Sequence, residues 1–234
     1  MILQNLVLRH AIQKVQCLNK NDMLRIFANI GNLILICNLI LFIRDFRFQN
    51  KGFKIFTFYL GIIFSIQLGS KILVNLHYQN LYLSHFYFIG QFIMLSFFYK
   101  NLFKEALQKR MVNIGFVFCL LVLGIQYGLD PSLLFKFNLF EIFITSFLLI
   151  IYAAFHFYNM LNSKKEFYYI NMGVLLYLFG SIVLFLAGNL MATLSPKINK
   201  IPWILNAILF IVYQIFIFVE WRKSNSKKII NAIL

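Results

Sequence analysis

Seven long apolar runs constrain this chain more than any other feature of its sequence. Each is close to the roughly 20 residues that a helix needs to cross the hydrocarbon core of a bilayer. No window alternates polar and apolar residues at the period of two that a barrel strand requires. The short intervening segments leave no room for a soluble domain. The sequence therefore predicts an all-α polytopic membrane protein, a bundle of seven transmembrane helices at about 26–43, 55–76, 81–99, 111–129, 139–158, 173–194 and 201–220.

The composition agrees with a protein immersed in lipid. Hydrophobic residues make up 61% of the 234 residues and charged residues 12%, whereas soluble domains have about 45–50% apolar residues. A net charge of +15 would suggest nucleic acid for a soluble protein, but here the basic residues flank apolar runs. We therefore expect the lipid bilayer as a partner and no nucleic acid. The three cysteines give no disulfide framework.

The distribution of Lys and Arg predicts the orientation of the bundle, because connections rich in these residues stay in the cytoplasm. One side carries fourteen of them and the other side eight. The N-terminus is therefore expected outside and the C-terminus in the cytoplasm. The fourteen are Arg44, Arg47, Lys51, Lys54, Lys100, Lys104, Lys109, Arg110, Lys164, Lys165, Arg222, Lys223, Lys227 and Lys228.

Residues 1–22 disagree with this pattern, because they add Arg9, Lys14 and Lys20 to the side that should lack basic residues. Three interpretations stay open: an extension of the reading frame upstream of Met23, a basic amphipathic helix in the membrane interface, or a functional element. Residues 23–221 then form the transmembrane domain. Residues 222–234 form a basic cytoplasmic tail, too short for a kinase or cyclase domain.

Polar side chains recur at helical spacing in four of the predicted spans. Such residues normally face the bundle interior or a wet cavity, because exposure to lipid is costly. Counted at about 1.5 Å per residue, most of them lie toward the outer face, which predicts an outward-facing polar pocket for a small molecule or lipid. The candidate ligand-binding residues are Asn29, Asn32, Gln67, Lys71, His85, Gln91, Glu141, Asn189 and Asn206.

Two of these candidates carry opposite charges. If Lys71 and Glu141 face one cavity, each helps to keep the other ionised where an isolated charge costs several kcal/mol. The alternative is that Lys71 extends its amine to the lipid headgroups. Single Asn and Gln residues can likewise do no more than bond across helices. The pocket hypothesis predicts that Lys71 and Glu141 pair.

A polar stripe follows Glu141 along the fifth span, where Thr145, Tyr152 and His156 share one helix face. Polar residues in this arrangement are typical of a proton relay, which suggests a transporter or proton-linked carrier. Seven spans do not divide into two equal repeats, however, and no matched pair of Gly/Pro-broken helices is present.

Four residues at the outer side have donor atoms that suit zinc: His77, His85, Asp130 and Glu141. No short ligand spacing such as His-x-x-x-His joins them, so we predict no metal site and no cofactor. His85 and Glu141 could instead act as acid and base in an intramembrane lipid-modifying enzyme. The chain is more readily interpreted as a non-enzyme, and no catalytic residue is assigned.

The runs "FKIFTFYL", "HFYFIGQFIMLSFFYK" and "FNLFEIFITSFLLIIY" give residues 24–221 a resemblance to uncharacterised seven-helix bacterial membrane proteins of flavobacterial type. Rhodopsins are not indicated, because the seventh span has no lysine for retinal, and the third span lacks the acidic-Arg-Tyr signature of receptors. The resemblance implies the bacterial cytoplasmic (inner) membrane and a place beside sensor histidine kinases, and it transfers no site residue. The first functional hypothesis is therefore a sensor or accessory subunit that acts through a membrane or cytoplasmic signalling partner.

Overall fold

The computed structural model describes residues 2–161, 165–194 and 201–233, with side chains over residues 23–161, 165–190 and 201–224. Across these ranges the fold is all-α, as predicted. The helices are α1 (Ile2–Asp45), α2 (Lys51–Asn75), α3 (Tyr82–Leu102), α4 (Ala106–Leu129), α5 (Leu139–Leu161), α6 (Tyr168–Leu194) and α7 (Ile201–Ile233). Two short 3-10 helices lie in the connections: Phe46–Phe48 between α1 and α2, and Pro131–Phe135 between α4 and α5.

Six of the described helices, all except α3, are long and apolar enough to cross a membrane. The prediction of a helical membrane protein is therefore confirmed. Helix α3 differs because it carries the polar residues His85, Gln91 and Ser96, which are buried in the bundle. It packs against α2, α4 and α5, so these side chains face protein and not lipid.

Local signals set the ends of two helices that border the predicted site. The Asn50 side chain accepts a hydrogen bond from the Phe53 amide at 3.0 Å and caps α2. Helix α4 stops at Leu129, two residues before Pro131, which is typical of a helix end. There the Asp130 carboxylate accepts hydrogen bonds from the Ser132 hydroxyl and amide, which lower the pKa of Asp130.

The connections divide the bundle into two ends. The last residues of α2, α4 and α6 and the first residues of α3, α5 and α7 lie at one end, here called the polar end, since consecutive helices run antiparallel. The opposite ends of these helices form the basic end, with Lys51, Lys100 and Lys109. Helix α7 packs against both α1 and α6. Large aromatic side chains such as Tyr59 and Phe98 fill the core.

Helix α1 runs without interruption from Ile2 to Asp45. Its 44 residues, at about 1.5 Å each, exceed the roughly 30 Å of a hydrocarbon core. Part of α1 therefore lies beyond the bilayer core. The side chains of residues 1–22 fall outside the described residues, so the three interpretations of that segment remain predictions.

Candidate functional site

A cavity of about 240 Å³ lies at the polar end between α2, α3, α6 and α7. Its polar wall consists of amide and hydroxyl groups, and its apolar wall includes Ile66, Phe88 and Phe185. No charged side chain belongs to this wall among the residues that the structure describes. The polar lining residues are Gln67, Ser70, Asn80, Ser84, Tyr87, Tyr177 and Asn206.

Neighbouring helices hold the polar groups at the rim in place. The Asn80 amide donates to the Ser70 hydroxyl at 2.6 Å and ties the α2–α3 connection to α2. The Ser181 hydroxyl donates to the Asn206 side-chain oxygen at 2.7 Å and joins α6 to α7. Both Ser181 and Asn206 also hydrogen-bond to the Tyr177 side chain, so the three side chains form one polar group in the cavity wall.

The cavity floor continues into a buried polar network that joins four helices. The hydroxyls of Tyr87 on α3 and Tyr177 on α6 are 3.1 Å apart. The Tyr177 ring stacks on Tyr213 of α7 with 5.3 Å between centroids. The Tyr213 hydroxyl donates to the Tyr59 hydroxyl on α2 at 3.2 Å, and Gln91 on α3 donates to the same oxygen at 3.1 Å. A change at the cavity floor can therefore reach the middle of the bundle.

A second polar group, here called the His85 cluster, consists of His85, Tyr127, Asn138 and Glu141. The His85 Nδ1 lies 2.7 Å from the Glu141 Oε2, and the two side chains are 4% and 0% exposed. The Tyr127 hydroxyl lies 2.8 Å from His85 Nδ1 and donates to the same Glu141 oxygen. Buried polar groups need such hydrogen bonds to offset their desolvation.

Asn138 connects this cluster to the start of α5. Its side-chain oxygen accepts from the Glu141 amide at 3.2 Å and caps the helix. Its amide nitrogen donates to the Gln126 oxygen at 3.1 Å and to the Tyr127 hydroxyl at 3.3 Å. The cap therefore positions the Glu141 carboxylate and the Tyr127 hydroxyl together.

The His85 cluster keeps two polar atoms unsatisfied. The His85 Nε2 and the Glu141 Oε1 are buried and have no hydrogen-bond partner among the described residues. An unsatisfied buried polar group costs about 1–3 kcal/mol. The pair can pass a proton between its bonded atoms, and each partner still has one atom that can take part in a further hydrogen bond.

The structure distributes the predicted pocket residues over several places. Gln67 and Asn206 meet at the cavity, whereas His85 and Glu141 meet in the His85 cluster. Gln91 lies beneath the cavity in the buried network. One predicted pocket is therefore two separate polar regions.

The expected pairing of Lys71 with Glu141 is absent from the structure. The Lys71 amine donates to the Asn29 side-chain oxygen at 3.2 Å, and both residues are exposed. Helix α3 packs against both α2 and α5 and lies between them, so the two charges face different neighbours. Of the other candidates, Asn32 is half-buried on α1 and Asn189 is exposed on α6.

The stripe on α5 is buried, as a relay requires, but its members bond to the backbone. The Thr145 hydroxyl donates to the Glu141 carbonyl at 2.7 Å, and the Tyr152 hydroxyl donates to the Val112 carbonyl at 3.5 Å. The His156 Nε2 lies 2.9 Å from the Glu166 carbonyl. Within the described residues no hydrogen bond joins one of the three to another, so the stripe is not a continuous relay.

Sequence reasoning missed Tyr127, Asn138 and Tyr177. Asn138 could have been found, because Asn138 and Glu141 stand three residues apart at the start of an apolar run, the spacing of a capping box. The two tyrosines follow no local pattern that distinguishes them from other aromatic residues of the spans. A buried tyrosine hydroxyl usually finds a partner, but the sequence does not identify that partner.

Comparison of the chain with protein-family models, with curated proteins and with solved structures finds no match in any of the three. Among the described residues no group of three or more His, Cys, Asp and Glu side chains is arranged to hold a metal ion. The function must therefore be argued from the two polar regions themselves.

Proposed function

We propose that this protein is a seven-span sensor or accessory subunit that binds a small neutral molecule at the polar end and acts through a partner protein. Helix α3 crosses the membrane as the third of the seven spans, with His85, Gln91 and Ser96 buried against its neighbours. The excess of Lys and Arg at the basic end supports a cytoplasmic location for that end. With the resemblance to flavobacterial proteins, it supports a bacterial inner membrane.

The cavity floor carries this proposal. A cavity of about 240 Å³ is slightly smaller than the roughly 300–1,000 Å³ of sites for drug-sized ligands. Its wall presents amides and hydroxyls on one side and Phe88 and Phe185 on the other. These features suit a small neutral ligand with hydroxyl or amide groups and one apolar face. An ionised ligand finds no countercharge among the described lining residues.

The network below the cavity supplies a route for the signal. A ligand that bonds to Tyr87 or Tyr177 competes with the bond between these two hydroxyls, which links α3 to α6. Through Tyr213 and Tyr59 the change reaches α7 and α2. Both helices continue to the basic end, where a partner can respond to a shift in their positions.

Binding can be tested by thermal unfolding of the purified full chain with a panel of neutral polyols, amides and hydroxyketones. A solute at 100 times its dissociation constant stabilises the folded state by about 2.7 kcal/mol, which raises the Tm by several degrees. Asn206→Leu removes a cavity amide and should abolish the shift. Asn189→Leu is the matched control, because Asn189 is exposed on α6 outside the cavity lining. The proposal fails if no solute in the panel separates Asn206→Leu from the wild type.

The cytoplasmic location of the basic end has its own test. In a chain whose native cysteines are replaced by serine, Tyr78→Cys at the polar end should react with an impermeant thiol reagent in intact cells. Lys104→Cys at the basic end should react only after the membrane is opened. The opposite pattern would invert the proposed orientation.

The His85 cluster favours proton-linked transport as a second candidate function. A buried histidine and carboxylate 2.7 Å apart can exchange a proton, and polar residues at this depth commonly mark ion pathways. In vesicles with an imposed pH gradient, the wild type should speed the decay of the gradient, and Glu141→Gln should remove this effect. His156→Gln should leave it unchanged, because His156 bonds only to backbone. Equal decay with wild type and Glu141→Gln would exclude this function.

A further inference from the structure

The basic end carries a groove of about 470 Å³ that runs over α3 between α2 and α4. Three amines line it, from Lys51 at the start of α2, Lys100 in the last turn of α3 and Lys109 in the first turns of α4. The Asn101 amide lies beside them. Three helices thus bring positive charge to one place.

The same groove is apolar below the amines. Ile55 and Phe58 of α2 and Met94 and Phe97 of α3 form this part of the wall. Phe58 lies seven residues along α2 from Lys51, or about 10 Å at 1.5 Å per residue. Phe58 is 60% exposed, so the groove opens toward lipid.

The three amines have no ionic partner in the described part of the chain. The salt bridges among the described residues join Arg44 to Asp45 and His85 to Glu141, and none includes a lysine of the groove. Glu105, four residues before Lys109, is not part of the groove wall. The groove therefore combines an uncompensated positive rim with an apolar floor that faces the bilayer.

We propose that this groove binds an anionic phospholipid, with its phosphate headgroup at Lys51, Lys100 and Lys109. Charge complementarity selects the headgroup, since basic pockets between transmembrane helices on the cytoplasmic side bind anionic lipids. The apolar floor takes the first part of an acyl chain. This site is independent of the polar cavity, which lies at the other end of the bundle.

A neighbouring groove indicates a lipid with two chains. This second groove, of about 490 Å³, lies between α1 and α2 with an apolar wall that includes Leu39 and Ile43. Phe58 lines both grooves, so one chain passes on each side of its ring. Gly61 lines the second groove, and the space beside it is open, because a Cβ at this position would meet no atom within 4 Å.

The headgroup site is tested by native mass spectrometry of the full chain, titrated with phosphatidylglycerol and with phosphatidylcholine of the same acyl chains. Each lysine near a membrane surface contributes about fivefold to the affinity for anionic lipid, so Lys51→Gln/Lys100→Gln/Lys109→Gln should weaken phosphatidylglycerol binding on the order of 100-fold. Phosphatidylcholine binding should not change. Lys104→Gln/Arg110→Gln/Lys165→Gln is the control with the same loss of charge at the same end. If the triple variant misfolds, Lys100→Gln alone should still show about a fivefold loss.

An equal loss in the two triple variants would overturn the proposal, because it would show only a general effect of charge. Equal retention of the two lipids by the wild type would also overturn it. Displacement of phosphatidylglycerol by inorganic phosphate at equal concentration would show a site for a free anion and not for a lipid.

The second chain has a matched pair of glycine variants. Gly61→Leu fills the second groove and should lower the affinity for phosphatidylglycerol to that for its single-chain lyso form. Gly124→Leu on α4 is the control, since a Cβ there also meets no atom within 4 Å. If Gly61→Leu and Gly124→Leu bind the two-chain lipid equally well, the second groove does not hold a chain.

Discussion

The His85 cluster and the polar cavity lie at the same end of the bundle, yet they differ in burial and in access to open space. In the cluster, His85 and Glu141 are almost completely buried and bond to each other and to the half-buried Tyr127. In the cavity, Gln67 and Asn206 are half-buried and face open space. The difference teaches that polar residues at one end of the bundle can form either a closed, buried set of partners or the wall of an open cavity.

The largest expected effect is the loss of one partner from the buried pair. His85→Leu removes the hydrogen-bond partner of the buried Glu141 carboxyl group and should lower the free energy of unfolding by about 1–3 kcal/mol. His85→Leu/Glu141→Leu should recover most of this loss, because no buried carboxyl group is left without its partner. Thermal and chemical unfolding of the purified variants measure both values. If the losses caused by His85→Leu and by Glu141→Leu simply add in the double variant, the two residues do not act as a unit.

A smaller effect is expected at the cavity floor. Tyr177→Phe removes the hydrogen bonds of this hydroxyl to Tyr87, Ser181 and Asn206 and should cost about 1–2 kcal/mol. The same change should weaken the thermal shift produced by any bound solute. Tyr158→Phe is the control, because Tyr158 is exposed on α5. A loss as large as that of His85→Leu would place Tyr177 among the groups that stabilise the fold and not among those that bind.

The smallest effect is expected at Lys71. Its hydrogen bond to Asn29 is exposed, so Lys71→Met should change the free energy of unfolding by no more than about 0.5 kcal/mol. The effect should add to that of Glu141→Gln, since α3 separates the two residues. A coupling of 1 kcal/mol or more in this double-mutant cycle would restore the pairing that the sequence suggested.

Helix class and the approximate place of each helix could be predicted from sequence, because they depend on neighbours along the chain. Apolar run length predicted seven helices, and six of them are long and apolar enough to cross a membrane. Not all helix ends could be predicted, since α1 begins at Ile2 and α7 continues to Ile233. Helix α3 was predicted at 81–99 and lies at Tyr82–Leu102; its membrane crossing and the orientation of the bundle stay predictions.

The separation of the two polar regions could not be predicted, because it depends on which helices become neighbours. Counting residues gives the depth of Lys71 and Glu141 along their own helices but not the position of α3 between them. Tyr127 and Tyr177 gain their roles only from partners on other helices. Asn138 is different, since its capping-box spacing to Glu141 is a local signal.

The central claim is that the cavity opens to water at the outer face while the core beneath it is closed. Cysteine accessibility in intact cells tests this most directly, in a chain whose native cysteines are replaced by serine. Ser84→Cys at the cavity wall should react with an impermeant thiol reagent, and bound solute should slow the reaction. Ser96→Cys, 12 residues further along the same helix and buried, should not react. A reactive Ser96→Cys, or an unreactive Ser84→Cys, would contradict the account.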